Sequence, residues 1–290
     1  ENLKFNVNIF SDLVDGYKTI RSNKALKFSI LGEAYFYALG TVLVTCIINM
    51  SKFQLGIAEG SIEKYRIILL IVFSVGMGVG CFVAGKLSRG RIELGLVPLG
   101  IAGVLIFMYD FSFATSFARA LFDLTLIGLF AGCFVLPLKV FIQQRSEEKL
   151  RGRILAMSNF IAFSFMLGAS LLVYYGSTHG LFDDTRVVLR QVVAFSLIAM
   201  CISFYLLPEF VLRFVLVSIT RTFYKMDVRG EEKIPETGPV LLLPNHVSWL
   251  DGVLITAATS REVKFMVSDL YYNHWLLNPF FRWLGFIAVP

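Results

Sequence analysis

A histidine and an aspartate five positions apart, His246 and Asp251, are the residues whose types and spacing best suit catalysis. They follow the apolar run 239–243, which predicts a short buried strand, and residues 245–252 predict a turn and the start of a helix. In that arrangement the carboxylate accepts a hydrogen bond from one ring nitrogen, and the other nitrogen is free to take a proton from a hydroxyl. The pair therefore predicts a general base with an orienting carboxylate, and a purely structural pair is the alternative.

The residues around this pair extend the pattern. Residues 245–251, NHVSWLD, resemble the N-H-x-S-x-x-D block of the glycerolipid acyltransferases of the lysophosphatidate acyltransferase type, and residues 228–239 resemble the segment that precedes that block. The resemblance implies a cytoplasmic α/β acyltransferase domain that needs no metal and no cofactor. Its co-substrate would be a thioester of acyl-carrier protein or coenzyme A.

The resemblance also implies roles for single residues. His246 would deprotonate a lysophospholipid hydroxyl and Asp251 would orient its ring. Asn245 and Ser248 would support the loop or the oxyanion, and Gly252 completes the motif.

Residues 285–290 resemble the start of the family's second block, which continues to an arginine that binds the substrate phosphate. Neither that arginine nor the third block, Glu-Gly-Thr-Arg, is in the sequence. We therefore expect 228–290 to be a truncated acyltransferase domain that is inactive alone, within a chain that is a piece of a longer protein.

The composition excludes a soluble globular domain. Hydrophobic residues make up 56% of the 290 residues, charged residues make up 17%, and the mean hydropathy is +0.70. Several segments approach the roughly 20 residues that a helix needs to cross a bilayer. Backbone amides in hydrocarbon need internal partners, so each such segment predicts a helix. The six predicted spans are 28–49, 67–84, 93–110, 121–143, 154–176 and 188–207.

Lysine and arginine are concentrated in alternate loops. The positive-inside rule then predicts that both termini and the His246 region are cytoplasmic. The same distribution explains the net charge of +6 without a nucleic-acid partner. Apolar residues at helical spacing predict an amphipathic interfacial helix at 1–27 and an interfacial linker helix at 209–227.

The turn after the second predicted span, GKLSRGR at 85–91, resembles a degenerate form of the major facilitator superfamily loop G-x-x-x-D-R-x-G-R, with Ser88 in the acidic position. Gly85, Arg89 and Arg91 would then form a gating loop that bridges two helix bundles. A plain positive-inside turn is the alternative.

Further stretches strengthen the transporter resemblance. Residues 128–138, GLFAGCFVLPL, and the triplet RGR at 151–153 resemble the lysophospholipid transporter branch of that superfamily. The resemblance implies that 28–208 is the second six-helix half of a transporter in the bacterial inner membrane, and that the first half is missing.

Glu33 in the first predicted span and Lys139 in the fourth are ionisable residues at membrane depth, which marks them as candidate transport residues. Lys139 would bind a lipid phosphate, and Glu33 would bind an amine or a coupling cation. The alternatives are that Lys139 extends to the membrane surface and that Glu33 pairs with a neighbouring helix. Gly76, Gly78 and Gly80 predict close helix packing rather than a nucleotide loop.

The whole pattern resembles lysophospholipid transporter/acylglycerophosphoethanolamine acyltransferase fusion proteins. It implies lysophospholipid translocation coupled to acyl transfer, with membrane lipids, lysophospholipid, acyl-carrier protein or acyl-coenzyme A, and the missing transporter half as partners. Two alternatives remain: a transporter of lysophospholipid or another substrate with a non-catalytic tail, and a membrane anchor without transport.

Overall fold

The structure is a computed structural model of the chain and consists of two compact units, Glu1–Ser203 and Phe204–Pro290. It describes residues 20–21, 23–53, 55, 59–88, 92–180, 184–224, 227–230, 233–235, 238–248, 251–259, 261, 263–283 and 285–290. Most of the predicted amphipathic helix at 1–27 lies outside these residues. Ile20 is described, and it is buried in an apolar cluster with Leu26, Ile30, Ile142 and Ile154.

The first unit is helical. Its helices are α1 Lys24–Phe53, α2 Ile62–Ser88, α3 Leu96–Phe111, α4 Phe117–Arg145, α5 Arg151–Thr178 and α6 Thr185–Leu206, with a short 3-10 helix at Glu59–Ser61. Within the described ranges, five of these helices (all except α3) are long and apolar enough to cross a membrane. These five candidate spans cover five of the six segments that hydropathy predicts.

The third predicted span, 93–110, corresponds to a shorter helix. α3 has 16 residues, or about 24 Å at 1.5 Å per residue, against a hydrocarbon core of about 30 Å. The difference arises at its start, where Pro98 lies in the first turn. Because proline has no N–H to donate to the carbonyl four residues earlier, a helix beginning at Glu93 would lose that hydrogen bond.

Helix α4 lies at the centre of the first unit, in contact with α1, α2 and α3. A Cβ atom at Gly80 or Gly132 would overlap the backbone of the facing helix, so α2 and α4 touch through their main chains. Gly76 and Gly128 belong to the same interface, whereas a Cβ at Gly78 would meet nothing within 4 Å. Thus Gly76 and Gly80 make the predicted close approach, and Gly78 does not.

The facing residues also fix the directions of these helices. The contacts are Gly32–Leu138 and Phe36–Phe134 between α1 and α4, Gly76–Gly128 and Gly80–Gly132 between α2 and α4, and Gly100–Phe134 and Gly103–Phe130 between α3 and α4. The residue numbers of the contacting pairs increase together only for α2 and α4, so these two helices run parallel. For α1 and α3 the numbers run in opposite directions, so both helices are antiparallel to α4.

The second unit combines helices with a two-stranded parallel sheet. Its elements are α7 Pro208–Phe223, α8 Asp251–Ala258, β1 Met266–Ser268, α9 Asp269–Tyr272, α10 Asn278–Trp283 and β2 Ile287–Val289. Met266 pairs with Ile287 and Ser268 with Val289, and α9 and α10 form the crossover that parallel strands require. The strand expected at 263–267 is therefore present but begins later.

The predicted buried strand at 239–243 is wrong. Residues 238–248 have no regular secondary structure, and Leu241 and Leu243 are 66% and 85% exposed. A strand is held by hydrogen bonds to a neighbouring strand, and the two strands in the described part of this unit pair with each other. The apolar composition of the run was therefore not sufficient to make it a strand.

Candidate functional site

The structure brings His246 and Asp251 together. His246 lies in the irregular segment, Asp251 is the first residue of α8, and His246 Nδ1 is 3.2 Å from Asp251 Oδ2. An ionised carboxylate only accepts hydrogen bonds, so Nδ1 must carry the hydrogen and donate it. The neutral ring then keeps Nε2 as its proton acceptor, which is the arrangement that a general base needs.

Asp251 is itself fixed by the main chain. The N–H groups of Val247 and Ser248 donate to the same Oδ2 atom at 2.6 and 2.8 Å. These bonds, that of Ser248 first, and then the contact with His246, hold the pKa of the Asp251 carboxyl below its usual range. The carboxylate is therefore ionised at neutral pH and cannot turn away from the ring without breaking two further hydrogen bonds.

The histidine is accessible from solvent. Its side chain is 78% exposed, whereas that of Asp251 is 21% exposed. Val247, beside it, is also exposed. A substrate can therefore approach His246 while the orienting carboxylate stays partly shielded.

The supporting residues of the motif have different surroundings. Asn245 is exposed directly before the histidine, and the Ser248 amide is bound to Asp251. A Cβ at Gly252 would lie 3.6 Å from the Phe265 ring, an ordinary contact, so that ring does not require glycine. Trp249 and Leu250 lie outside the described residues.

Sequence reasoning missed Arg261, which fixes the segment leading to the histidine. Its guanidinium donates to the carbonyl oxygen of Pro235 at 2.5 Å and to that of Gly238 at 2.6 Å. Gly238 has a φ of +86°, a conformation that favours glycine. No sequence signal marks this contact, because the partners are backbone carbonyls more than 20 positions away.

The two candidate transport residues form an ion pair in the first unit. Lys139 Nζ on α4 is 3.2 Å from Glu33 Oε1 on α1, and the Ser158 hydroxyl on α5 donates to Glu33 Oε2 at 2.7 Å. Lys139 also lies 5.3 Å from the centre of the Tyr37 ring. Glu33 is thus held by residues of neighbouring helices, which is the alternative given for it in the sequence analysis. Ser158 and Tyr37 are further partners that the sequence did not reveal.

The candidate gating loop is only partly described. Gly85, in the last turn of α2, lines a cavity of about 210 Å³ together with Ser88, Leu136 and Pro137. Arg89 and Arg91 lie outside the described residues, so the loop interpretation stays a prediction. In the described part of the chain, no three or more histidine, cysteine, aspartate or glutamate side chains are grouped to hold a metal ion.

Comparison with protein families identifies the class of the second unit's sequence. Residues 225–290 match the family model described as Acyltransferase, a range that includes His246 and Asp251. The C-terminal part of the chain therefore carries an acyltransferase-family segment.

Comparison with curated proteins finds relatives of a different class. It is similar to the lysophospholipid transporter LplT of Citrobacter koseri, with 31% identity over 147 residues, which is 50% of this chain and 36% of that protein. The same-named protein of Shigella boydii is 28% identical over 163 residues, 56% of this chain and 40% of its own length. The chain thus spans less than half the length of these relatives, and no solved structure matches it.

The apolar helices and the named relatives both indicate a membrane protein. Five helices in the described residues are candidate membrane spans, and the relatives are bacterial transporters by name. The chain is accordingly a bacterial multi-pass membrane protein that also carries an acyltransferase-family segment.

Proposed function

We propose that the protein moves a lysophospholipid across the bacterial inner membrane and acylates it on the cytoplasmic side. The observation that carries this proposal is the His246–Asp251 pair within an acyltransferase-family segment, on a chain that is also similar to lysophospholipid transporters. A transporter and an acyltransferase with the same lipid as substrate gain from being joined, because the translocated lipid arrives close to the enzyme.

The acyl transfer follows from the geometry of the pair. His246 Nε2 accepts the proton of a lysophospholipid hydroxyl as its oxygen attacks the carbonyl carbon of an acyl thioester. The ester bond forms, the carbon–sulfur bond breaks, and the imidazolium returns the proton to the departing thiolate. The Asp251 carboxylate, 3.2 Å from Nδ1, stabilises the imidazolium between these steps.

The oxyanion of the tetrahedral intermediate needs donors other than the nearest amides. The Val247 and Ser248 N–H groups donate to Asp251 and are therefore occupied. We assign this role to the Asn245 and Ser248 side chains, with an acyl-carrier protein or coenzyme A thioester as the donor.

For the first unit we infer six membrane crossings. Support comes from the directions of the helices: α1 and α3 run opposite to α2 and α4, as consecutive crossings must. Arg190, near the start of α6, donates to Ser112, which lies between the end of α3 and the start of α4. This contact places the start of α6 beside the start of α4. α3 is short but keeps this alternation, and both termini would then be cytoplasmic, where the thioester donor is available.

The Glu33–Lys139 pair is the proposed contact for the lipid headgroup. Lys139 is 42% exposed and can exchange its bond to Glu33 for one to the lipid phosphate. Glu33, held by Ser158, can then accept an ammonium group of the same headgroup. Separating this partly buried ion pair without replacing both partners would leave the buried Glu33 carboxylate without a cation, which is costly. A zwitterionic headgroup therefore suits this site.

The test of the enzymatic part uses the full-length gene product in proteoliposomes, with a labelled lysophospholipid and an acyl thioester. We expect His246→Ala to lower acylation by about a hundredfold to ten-thousandfold, the usual contribution of a general base, and to leave translocation unchanged. His274→Ala is the matched control, because His274 is an exposed histidine in the same unit. Acylation that survives His246→Ala would instead support the transporter with a non-catalytic tail.

A further inference from the structure

Asp123 of α4 is a buried charged side chain that acyl transfer and headgroup binding do not use. It is 0% exposed, and neither of its carboxylate oxygens has a hydrogen-bond partner among the described residues. An ionised carboxylate with no partner in a water-free interior is strongly disfavoured. A positive charge close to Asp123 would reduce this free-energy cost.

The carboxylate of Asp110 faces Asp123 from the neighbouring helix. Gly100 lies against Phe134 and Gly103 against Phe130, and the same antiparallel register places Asp110 of α3 opposite Asp123. The charged groups that act on Asp123 are Asp110 and Arg119. Two ionised carboxylates are both acceptors, so this approach becomes a hydrogen bond only when one carries a proton.

No cation is a hydrogen-bond partner of Asp123 among the described residues. Arg119 donates to Asp110 at 2.6 Å and compensates that carboxylate instead. The other charged groups near this end of the helices make other contacts. Glu63 pairs with Arg66, Lys64 is exposed, Arg186 and Arg190 donate to the neutral acceptors Ala114 and Ser112, and the Asp184 carboxylate accepts from the Arg186 N–H.

We propose that Asp123 and Asp110 together bind one monovalent cation, a proton or an alkali-metal ion, whose movement is coupled to lysophospholipid translocation. A proton would sit between the two carboxyl groups as a hydrogen bond, and an alkali-metal ion would be held by their oxygens. The coupling rests on the proposed transport function, whereas the binding site does not. The sequence-based candidate for the coupling cation, Glu33, is engaged by Lys139 and Ser158 instead.

Infrared difference spectroscopy on the purified chain in lipid nanodiscs tests the site without requiring transport. If the cation is a proton, sodium-free samples at neutral pH show a protonated carboxylic acid band that disappears on alkaline titration and is lost in Asp123→Asn. If it is an alkali-metal ion, adding sodium chloride shifts the carboxylate bands and raises the melting temperature, and Asp123→Asn loses both effects. Choline chloride at equal concentration controls for ionic strength.

Glu63→Gln is the matched control, because it removes an exposed carboxylate on the same membrane unit. It should leave the infrared band and the sodium response unchanged. Identical spectra and identical sodium responses in wild type and Asp123→Asn would overturn the proposal, provided that Asp123→Asn keeps its helical circular dichroism. If Asp123→Asn does not fold, the same infrared and sodium measurements on Asp110→Asn test the site. If the infrared or sodium test is positive but the protein does not translocate lysophospholipid, the cation site is supported and only its coupling to translocation is rejected.

Discussion

The oxygen Oδ2 of Asp251 controls the arrangement of the candidate catalytic residues, because three N–H groups donate to it. Two come from the main chain and one from the His246 ring. The main-chain bonds make the carboxylate a fixed reference against which the ring is oriented. This local turn explains how a strongly exposed histidine keeps one tautomer without being enclosed in a core.

The pH dependence of stability tests this arrangement at the level of one residue. The pKa of Asp251 is lowered in the folded protein, so its ionised form stabilises the fold at and above the ordinary aspartate range. That contribution is lost as the pH falls through the lowered folded value. We therefore expect Asp251→Asn to be less stable than wild type at neutral pH, with the difference vanishing in acid below the ordinary value of 3.8.

The measurement is chemical unfolding of the whole chain followed by tryptophan fluorescence. The tryptophans, Trp249, Trp275 and Trp283, all fall in the second unit, so the signal reports on that unit. Asp227→Asn is a suitable control because Asp227 is an exposed partner of Arg229 in the same unit. A stability difference for Asp251→Asn that stays constant from neutral to acid pH would contradict the assigned role of the carboxylate.

Single residues also show which parts of the site could be predicted. His246 and Asp251 are close in sequence, so a turn alone brings them together, and their spacing predicted the contact. Glu33 and Lys139 were identified separately as intramembrane charges, but their pairing depends on how α1 and α4 pack. Asp123 was missed because it lies near the start of the predicted span 121–143, where a charge is expected at the membrane surface, and its burial depends on how the helices pack.

At the scale of elements, the α2–α4 interface depends on glycines one turn apart. We expect Gly80→Ala to destabilise the first unit by about 1–3 kcal/mol, the usual cost of overfilling a packed interface, because the new methyl group would overlap the α4 backbone. Gly78→Ala, on the same helix, places its methyl group in open space and should be neutral or slightly stabilising. Thermal unfolding in detergent, followed by circular dichroism, compares the two. Equal effects of both substitutions would show that the helices do not touch there.

The segment before His246 depends on Arg261. Removing its side chain in Arg261→Ala leaves the carbonyls of Pro235 and Gly238 without their charged donor, and we expect a loss of about 1.5–3 kcal/mol. Arg282, exposed in the same unit, provides the control Arg282→Ala. Tryptophan fluorescence during denaturation again reports on this unit, and no change in the midpoint for Arg261→Ala would refute the contact.

The elements differ in how well sequence predicts them, for a physical reason. A long apolar helix satisfies its own hydrogen bonds, so hydropathy alone located α1, α2, α4, α5 and α6. The strand expected at 239–243 failed because a strand depends on a partner elsewhere in the chain. The start of α3 was misplaced because hydropathy does not register the N–H that Pro98 lacks.

At the scale of the whole molecule, one lipid connects the two proposed functions. The chain combines candidate membrane spans, similarity to lysophospholipid transporters and an acyltransferase-family segment. If the proposal holds, Lys139 and His246 act in sequence on the same molecule: Lys139 during translocation and His246 during acyl transfer. Variants of the two residues should therefore fail at different steps.

The most direct test supplies labelled lysophospholipid to one leaflet of proteoliposomes that contain the full-length gene product, with the acyl thioester only on the side of His246. We expect wild type to acylate lipid from either leaflet. We expect Lys139→Ala to acylate only lipid supplied on the side of His246, and His246→Ala to move lipid without acylating it. Acylation of lipid from the opposite leaflet that is unaffected by Lys139→Ala would contradict the coupling, and acylation that persists in His246→Ala would contradict the assigned base.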